Sequence, residues 1–446
     1  MPPHPSDPDQ APAPAGAGGL PWRWRVVVFL AGAAALNYGD RAVFSVVLPA
    51  IRAEFRLSDV ALGLLGSLFL WSYALVSPLA GSLADRFSRS GLVRASLLAW
   101  SAVTALTGAV GGFAVLAGLR VALGVAESAY MPAAVALLAD HHGPATRARA
   151  MSLHIVGFNV GMVLGGALAG LLAERFGWRC SFSVLGLAGV VLALAARAFL
   201  RDGTRPAARP APVGAGGAAF RFLLGSPSFF MLLGVAMLAG VAVWIFFNWF
   251  PLYLTERYHM SLAAAGLAGM LALQAPSMLG IVTGGWLSDR VAARDGRRRL
   301  LVFALGYLAT APGLLLFLLR PGLATVGAAV ASFSFCRSLA AVNELPVLCE
   351  VVPVQFRATA VGCMNTAATA AGGLGVLLAA VLKRGLGLET VFAGLSGVFV
   401  AAALAMAVGY RACFRRDQAR ARRWEEDRML DAAERPGGRT DTGNHT

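Results

Sequence analysis

The stretch GSLADRFSR at residues 81–89 has a counterpart later in the chain, GGWLSDRVAARDGRRR at residues 284–299. In both stretches an aspartate and an arginine follow a glycine by four and five residues. We expect the glycine to let two helices approach closely, and the charged pair to cap a helix end where it leaves a membrane. These glycines and charged pairs are Gly81, Asp85, Arg86, Gly285, Asp289 and Arg290. The repeat indicates that the chain consists of two related halves.

The composition is that of an integral membrane protein. Hydrophobic residues make up 57% of the chain and charged residues 14%, with a mean hydropathy of +0.67, whereas soluble domains are about 25% charged. Twelve apolar runs are long enough, or nearly so, to cross a bilayer as helices. By residue number they are 26–51, 60–83, 95–110, 113–139, 150–173, 180–196, 229–254, 262–287, 300–319, 322–349, 358–382 and 391–408.

Segments rich in Pro, Ala and Gly mark the boundaries between parts of the chain. One such segment precedes the first apolar run, and the other separates the sixth run from the seventh. The first run is too long and too charged for a cleaved signal peptide. The predicted organisation is a disordered cytoplasmic tail (1–20), an N-terminal six-helix bundle (21–200), a cytoplasmic linker (201–226), a C-terminal six-helix bundle (227–412) and a basic cytoplasmic tail (413–446).

The distribution of basic residues predicts the orientation in the membrane. Most of the 38 Lys and Arg residues fall before the first run, after the last, or in the loops that share their side. Because cytoplasmic loops retain Lys and Arg, we expect both termini to be cytoplasmic in a plasma (inner) membrane protein. The formal charge of +15 is then a result of topology and does not indicate a nucleic-acid partner.

The repeated loop resembles the signature of the major facilitator superfamily, G-x-L-x-D-R-x-G-R-[RK]. Ser88 and Ser90 stand where that pattern has a glycine and a base. The resemblance covers about residues 22–412. It implies an all-α integral membrane protein with twelve transmembrane helices in two pseudo-symmetric six-helix bundles, which rock about a central site. It also implies that Arg89 and the six residues of the repeat serve the fold and the inner gate rather than substrate contact.

Three further stretches resemble the anion:cation symporter branch of that superfamily. They are LNYGDR at 36–41, RVALGVAES at 120–128 and WFPLYLTERYHMSLAAAG at 249–266. The spinster branch shares the first two. The stretch AESAYMPA at 126–133 keeps the glutamate and proline of the symporters but has Glu-Ser-Ala in place of Glu-Ala-Pro. Both branches therefore remain open.

Charged residues interrupt the apolar runs at only a few positions, three acidic and three basic. They are Asp40, Arg41, Arg120, Glu127, Arg337 and Glu344. A charge at the centre of a membrane helix costs roughly 2.5–3.5 kcal/mol on insertion scales, so we expect these side chains to face a protein or water-lined interior. Counted from the start of the following run, Arg337 has nearly the depth of Glu127, and Glu344 lies closer to the cytoplasm as an inner-gate residue.

These residue types suit anion transport coupled to protons. An arginine binds carboxylate or phosphate through two parallel hydrogen bonds and stays charged, whereas a buried carboxylate changes protonation with its surroundings. The resemblance implies that Arg41 binds the anion and that Asp40 and Glu127 couple protons. The alternative is that these charges form a network that fixes helix register, and for Arg120 that alternative has equal weight.

Other polar residues in the runs are candidates for the same site. His154 is the only histidine in an apolar run; it is either a proton relay or a packed, hydrogen-bonded side chain. Candidates for a substrate pocket, each equally suited to joining helices, are Tyr38, Tyr130, Asn159, Trp244, Asn248, Gln274, Asn365 and Arg337.

The sequence thus predicts a secondary active transporter, a proton-coupled symporter that imports a small organic anion such as a sugar acid or other carboxylate. We expect a monomer in the lipid bilayer, with protons and the anion as its partners and without cofactor, metal or nucleic acid. The alternative is spinster-like transport of an amphipathic lysolipid, or other export by the same fold. An enzyme would need a nucleophile with its base or a metal cluster, and a channel a repeated filter, and the sequence shows neither.

Overall fold

The computed structural model describes residues 20–202, 215–293, 298–319 and 321–434, and it is almost entirely α-helical in these ranges. Residues 1–19 of the predicted disordered tail, 203–214 of the predicted linker and 435–446 of the basic tail lie outside the described residues. The helices, numbered in chain order, are α1 (Trp22–Phe55), α2 (Asp59–Arg86), α3 (Arg89–Thr107), α4 (Phe113–Ser128), α5 (Tyr130–His141), α6 (Pro144–Phe176), α7 (Trp178–Phe199), α8 (Ala215–Leu224), α9 (Pro227–Tyr258), α10 (Leu262–Ala292), α11 (Arg298–Leu315), α12 (Leu323–Ala341), α13 (Glu344–Val351), α14 (Arg357–Ala412) and α15 (Phe414–Glu434).

The helices match the twelve predicted crossings. Within the described ranges, 10 helical segments are long and apolar enough to cross a membrane. Two of these segments combine neighbours: α4 with α5 around Ala129, and α12 with α13 around Asn343. A third, α14, is two crossings in one, because Gly387 has a φ of 78° and breaks it into two arms. With α3, which is not among the ten, the number of crossings is twelve, and the prediction is confirmed.

Glycines bring α1 and α6 into backbone contact. Gly157, Gly161 and Gly165 recur every fourth residue of α6 and therefore lie on one face. A Cβ atom at any of them would overlap the backbone of α1 at Ala31, Ala35 or Gly39. Small residues that allow such close approach are the usual basis of helix packing in membranes. This contact fixes the position of α1, which carries LNYGDR.

The two bundles contact each other at one end of the molecule. We call this the closed end; it carries the α1–α2 turn (56–58) and the α9–α10 turn (259–261). There the backbone N–H of Ala263 on α10 donates to Glu174 on α6 at 2.8 Å. Deeper in, Ser67 on α2 donates to the carbonyl of Gly373 on α14 at 2.6 Å. The closed half of the molecule is therefore sealed by direct contact between bundles.

The bundles diverge towards the opposite end, which we call the open end. Trp71 on α2 still donates its indole N–H to the carbonyl of Ala370 on α14 at 3.1 Å. Leu75 and Leu79, one and two turns further along the same face of α2, are 78% and 64% exposed. The hydrogen bonds between bundles named above thus lie in the closed half and at the centre, and α2 is exposed beyond Trp71.

Two helices outside the predicted crossings pack on the open end. The short helix α8 lies in the predicted linker, and α15 begins the basic tail. Asp417 of α15 accepts a hydrogen bond of 2.7 Å from the backbone N–H of Ser228, in the first turn of α9. Trp424 packs against Phe222 of α8 and Phe356. The tail helix therefore ties α8 and the start of α9 to the C-terminal bundle.

Candidate functional site

The centre of the N-terminal bundle holds a buried ion pair between Arg41 of α1 and Glu127 of α4. Nε and Nη2 of Arg41 both lie 2.8 Å from Oε2 of Glu127. Arg41 is 8% exposed and Glu127 is 1% exposed. Asn37, one turn before Arg41, lies beside Glu127. Within the described structure, Oε1 of Glu127 and Nδ2 of Asn37 have no hydrogen-bond partner. One acceptor atom of Glu127 and one donor atom of Asn37 are therefore available for a further hydrogen bond.

Aromatic rings surround the Arg41 guanidinium. Its Cζ lies 4.8 Å from the ring centroid of Tyr38, 5.2 Å from Phe69 and 5.0 Å from Tyr73. Cation–π contacts of this kind stabilise a guanidinium away from water. Tyr38 was predicted as a site residue and is part of this cage, and its role in substrate binding stays a prediction.

Arg120 occupies the same region but is held differently. Its guanidinium lies 3.9 Å from the centroid of Phe44 and 4.7 Å from that of Phe69, the ring it shares with Arg41. Its Nε donates to the carbonyl of Leu65 at 3.2 Å. Among the described residues it has no carboxylate within 4.0 Å. Arg120 therefore supplies positive charge to the site without a close counter-ion.

Asp40 faces a different neighbour from Arg41, as the step of about 100° between adjacent helical residues requires. Its Oδ2 accepts a hydrogen bond of 3.2 Å from Thr104 of α3. The carboxylate is 3% exposed, and its Oδ1 has no partner in the described part of the chain. With Arg41, Arg120 and Glu127, Asp40 completes a set of two formal positive and two formal negative charges.

His154 and Tyr130 contact each other deeper in the N-terminal bundle. The Tyr130 hydroxyl donates to the carbonyl of Leu30 at 2.9 Å and lies 3.1 Å from Nε2 of His154. The His154 ring packs edge-on to Phe158 at 4.8 Å, and Phe158 stacks on Tyr38 at 4.5 Å. Aromatic contacts therefore connect His154 to the cage around Arg41.

The C-terminal bundle has a smaller polar cluster around Arg337. Nη2 of Arg337 donates to Ser338 at 2.8 Å and reaches Ser277 of α10 at 3.4 Å. Glu344 is the first residue of α13. Its carboxylate and the Arg337 guanidinium interact electrostatically, but they form no ion pair within 4.0 Å. No hydrogen bond or ion pair among the described residues joins Arg337 to the charges of the N-terminal bundle. The two halves of the expected site are thus separate in this conformation.

Asn248 of α9 lies where the two bundles meet. Its side chain is 6% exposed. A Cβ atom added at Gly66 of α2 would lie only 2.8 Å from Oδ1 of Asn248, so the two helices are in close contact here. Its Nδ2 has no partner among the described residues. Trp244, one turn earlier on the same helix, packs on Gly372. Trp244 also packs on the buried cluster that Ala42 and Val46 of α1 form with Phe247 and Met270, so both residues lie at the boundary between the bundles.

The remaining pocket candidates are more accessible. Asn159 of α6 uses its side-chain amide to donate to the carbonyl of Ile155 at 2.9 Å. Gln274 of α10 is half-buried, and Asn365 of α14 is exposed. Their predicted part in substrate binding stays a prediction.

The glycines of the repeated loop do not have the close approach that we expected. A Cβ atom added at Gly81 or at Gly285 would meet no neighbouring atom within 4 Å, so this expectation is wrong for the present conformation. The glycine in close contact is Gly284, where a Cβ would lie 2.5 Å from the carbonyl oxygen of Leu339.

The charges of the repeat form contacts within each bundle. Nη1 of Arg89 lies 2.5 Å from Oδ2 of Asp140 at the end of α5. Asp289 pairs with Arg299 at 3.1 Å, and Arg290 lies over the Trp286 ring. Asp85 and Arg86 end α2, but their side chains are outside the described part of the structure.

The two serines that depart from the family pattern share one partner, Asp202, just after α7. Its carboxylate accepts from Ser88 Oγ at 2.5 Å and from the backbone N–H of Ser90 at 2.8 Å. Burial raises the pKa of the Asp202 carboxyl, but the hydrogen bonds from Ser88 and Ser90 outweigh it, so the net pKa is lowered. Asp202 thus holds the start of α3 to the end of α7.

Several residues of the central site were not predicted from the sequence. Asn37 and Tyr73 are polar groups in apolar runs, and this signal was available. Thr104 falls among other small polar residues of α3, and Phe69 is one of many apolar residues in its run, so neither stands out. Their part in the site follows only from how α1, α2 and α3 pack.

Comparison with known proteins agrees with this architecture. The sequence profile described as Major Facilitator Superfamily matches residues 30–295. The chain belongs to this superfamily. It is 33% identical over 280 residues to an MFS-type efflux pump of Mycolicibacterium smegmatis, covering 61% of this chain and 64% of the pump. It is 28% identical over 309 residues to a probable galactarate/D-glucarate transporter of Bacillus subtilis, covering 62% and 66%.

These two matches span a little under two thirds of each relative's length. A longer match, 29% identity over 357 residues, covers 76% of this chain and 82% of a probable sulfoacetate transporter of Cupriavidus necator. Among solved structures, a bacterial homolog of the human lysosomal transporter Spinster, inward-facing and unoccupied, has a TM-score of 0.69 at 24% identity. That match covers 92% of this chain and 99% of the homolog, and it confirms the twelve-helix fold.

Proposed function

We propose that this member of the superfamily is a secondary active transporter, a symporter that imports a small organic anion together with protons by alternating access. The observation that carries the proposal is the buried Arg41–Glu127 pair, with Asp40 adjacent to it in the chain. This arrangement gives one bundle an anion-binding group and two carboxylates that can accept protons.

Competition for Arg41 provides the coupling. An arriving carboxylate would take the N–H group that Nε of Arg41 now donates to Glu127, and would replace Glu127 beside Nη2. A proton on Glu127 removes its charge and weakens its hold on Arg41, so the substrate anion replaces it. Release of that proton restores the Arg41–Glu127 pair and displaces the substrate. Anion and proton are therefore expected to bind together.

Charge balance supports the same conclusion. Asp40, Arg41, Arg120 and Glu127 sum to zero when all are ionised, and all four are buried. A monovalent anion that entered alone would leave one uncompensated negative charge in the bundle, which is costly in low dielectric. One proton on Glu127 or Asp40 removes that excess. We therefore expect at least one proton to accompany each negative charge of the substrate.

The closed and open ends fit one state of an alternating-access cycle. The start of α1 and the helices α8 and α15 lie at the open end, which we assign to the cytoplasm of a plasma-membrane protein on the basis of its basic residues. The present conformation then faces inward with Arg41 paired to Glu127, which is the state expected after release of substrate and proton. We expect the monomer to be the functional unit.

The substrate class follows from the site and the relatives together. Arg41, Arg120 and the tyrosines around them suit a carboxylate with hydroxyl groups. Two of the relatives carry names that specify sugar diacids or sulfoacetate, all small organic anions. A sugar acid or another small carboxylate is therefore the substrate class that we propose.

The test uses purified protein in proteoliposomes. A thermal-shift screen against sugar acids, other carboxylates and sulfonates first identifies a ligand, because binding to the folded state alone stabilises it. Uptake of that ligand is then measured with and without an imposed pH gradient. Concentrative uptake that requires the gradient supports the proposal; equilibration without accumulation would contradict proton coupling.

A second candidate function is export, and the efflux pump of Mycolicibacterium smegmatis at 33% identity is the observation that favours it. A spinster-like substrate would be an amphipathic lysolipid. The same vesicles separate the two functions. Lysolipids, and not carboxylates, would then stabilise the protein, and the imposed gradient would drive substrate in the opposite direction.

A further inference from the structure

Four charged side chains from four helices meet at the closed end. Nη1 of Arg52 on α1 lies 2.6 Å from Glu256 on α9 and 3.4 Å from Asp59 on α2. Nζ of Lys383 on α14 lies 2.9 Å from Oδ1 of Asp59 and 2.8 Å from Oε2 of Glu256. Positive and negative groups therefore alternate around a closed ring of four, which we call the charge ring.

Each bundle contributes one cation and one anion to the charge ring. Arg52 and Asp59 belong to the N-terminal bundle, whereas Glu256 and Lys383 belong to the C-terminal bundle. Two of the four contacts are thus within a bundle, and the other two, Arg52–Glu256 and Asp59–Lys383, join the bundles. This pattern differs from that of Arg179 and Glu54 at the same end, whose ion pair of 2.6 Å lies within one bundle.

Lys383 is the least exposed member of the charge ring. Its side chain is 10% exposed, against 37% for Arg52 and 35% for Glu256. Its Nζ also lies 5.5 Å from the ring centroid of Trp249. Lys383 is the only lysine in the sequence, since every other basic side chain apart from histidine is arginine. Its amine is therefore a unique chemical reporter of this end of the molecule.

We propose that the charge ring is a gate that separates into two neutral pairs. When the bundles move apart at the closed end, the two cross-bundle contacts break. Arg52 keeps Asp59, and Lys383 keeps Glu256, so no charge is left without a partner. The ring thus favours closure through two cross-bundle contacts, and opening leaves each charge beside an opposite charge of its own bundle. The inference rests on the alternating access proposed above.

Two charge exchanges test this arrangement at constant net charge. The cross-bundle exchange, Arg52→Glu with Glu256→Arg, keeps both contacts between bundles but gives each bundle two like charges. The within-bundle exchange, Arg52→Asp with Asp59→Arg, keeps one charge of each sign in each bundle but makes both cross-bundle contacts repulsive. In each variant an arginine replaces one of the two carboxylates beside Lys383. The intrinsic reactivity of the Lys383 amine therefore changes in a similar way in both variants.

The readout is modification of Lys383 by a membrane-impermeant N-hydroxysuccinimide ester, quantified by mass spectrometry of the peptide that contains it. The protein is in liposomes without substrate. We expect the cross-bundle exchange to slow labelling and the within-bundle exchange to accelerate it, each by roughly two- to fivefold relative to wild type. Equal rates in the two variants, or the reverse order, would overturn the proposal.

A milder pair of variants covers the case in which an exchange does not fold. Arg52→Gln removes one cross-bundle contact without removing either partner of Lys383. Its control is Arg179→Gln, which removes an arginine of similar exposure at the same end but no cross-bundle contact. Faster labelling in the first variant only is the expected result, and equal labelling in both contradicts it. Because no substrate is present, this outcome is independent of which molecule is transported.

Discussion

Nε of Arg41 donates to Oε2 of Glu127 at 2.8 Å, and Nη2 of Arg41 lies 2.8 Å from the same oxygen, in the buried centre of the N-terminal bundle. The second carboxylate oxygen, Oε1, has no partner among the described residues. The geometry therefore uses only part of what a guanidinium and a carboxylate can offer each other. An anion that reaches this site meets the N–H donors of Arg41, which are now occupied by Glu127, a carboxylate that can be protonated.

Arg41→Lys retains the charge but loses the planar pair of donors, so it should weaken binding of the anion. Loss of one charge-assisted hydrogen bond, worth about 1.5–3 kcal/mol, corresponds to a decrease in affinity of roughly tenfold to a hundredfold. Isothermal titration with the ligand from the thermal-shift screen measures this. Arg179→Lys at the closed end is the control and should bind as wild type does. Unchanged affinity in Arg41→Lys would remove Arg41 from the site.

The sequence predicted the fold because membrane insertion leaves few alternatives. Apolar runs of sufficient length become helices, and the repeat around Gly81 and Gly285 indicates two halves. It also predicted that Asp40 and Arg41 face different neighbours, since the helical step alone requires it. The repeat did not predict which glycine is in close contact, because Gly284 and Gly285 are adjacent and the helical step of about 100° decides which of them meets α12.

Interactions between distant helices were not accessible from the sequence in the same way. The charge at Arg120 was visible, but its position over Phe44 and Phe69 depends on the packing of three helices. Arg337 and Glu344 have the same spacing as Arg120 and Glu127, but their depths counted from the following run already differ, and the break between α12 and α13 falls between them. Side-chain contacts across bundles need the register of every helix, which one sequence does not specify.

Glycines at two positions should respond differently to larger side chains. Gly161→Val should destabilise the protein strongly, by more than about 3 kcal/mol, because its Cβ would overlap the backbone of Ala35. Gly81→Leu should leave the thermal unfolding temperature near that of wild type, because nothing lies within 4 Å. It should still reduce transport if α2 must approach α14 when the open end closes. Normal uptake by folded Gly81→Leu would show that this approach is not required.

The anchoring of α15 gives a prediction about stability. Asp417 is 2% exposed and accepts from the first turn of α9, where a negative charge also interacts favourably with the helix dipole. Asp417→Ala should lower the free energy of unfolding by about 1–2 kcal/mol and release α15 to limited proteolysis. Glu426→Ala, on the exposed face of the same helix, should do neither. Equal protease resistance in both variants would argue against anchoring by Asp417.

Glu127→Gln should separate binding from proton coupling. The amide resembles the protonated acid, so Arg41 is no longer held by a charge and remains free for the substrate. Substrate should therefore bind and exchange across the membrane in counterflow without a pH gradient. Concentrative uptake driven by the gradient should be lost, because the empty carrier has no proton to release at this position. The control is Glu426→Gln on the exposed face of α15, which removes a carboxylate outside the predicted site and gate and should leave pH-driven uptake intact. Paired counterflow and pH-driven uptake of one substrate in proteoliposomes measure both properties.

If Glu127→Gln keeps full pH-driven accumulation, the carboxylate is structural and the proton must bind elsewhere. Asp40→Asn and then His154→Gln are the variants that locate the proton-binding group.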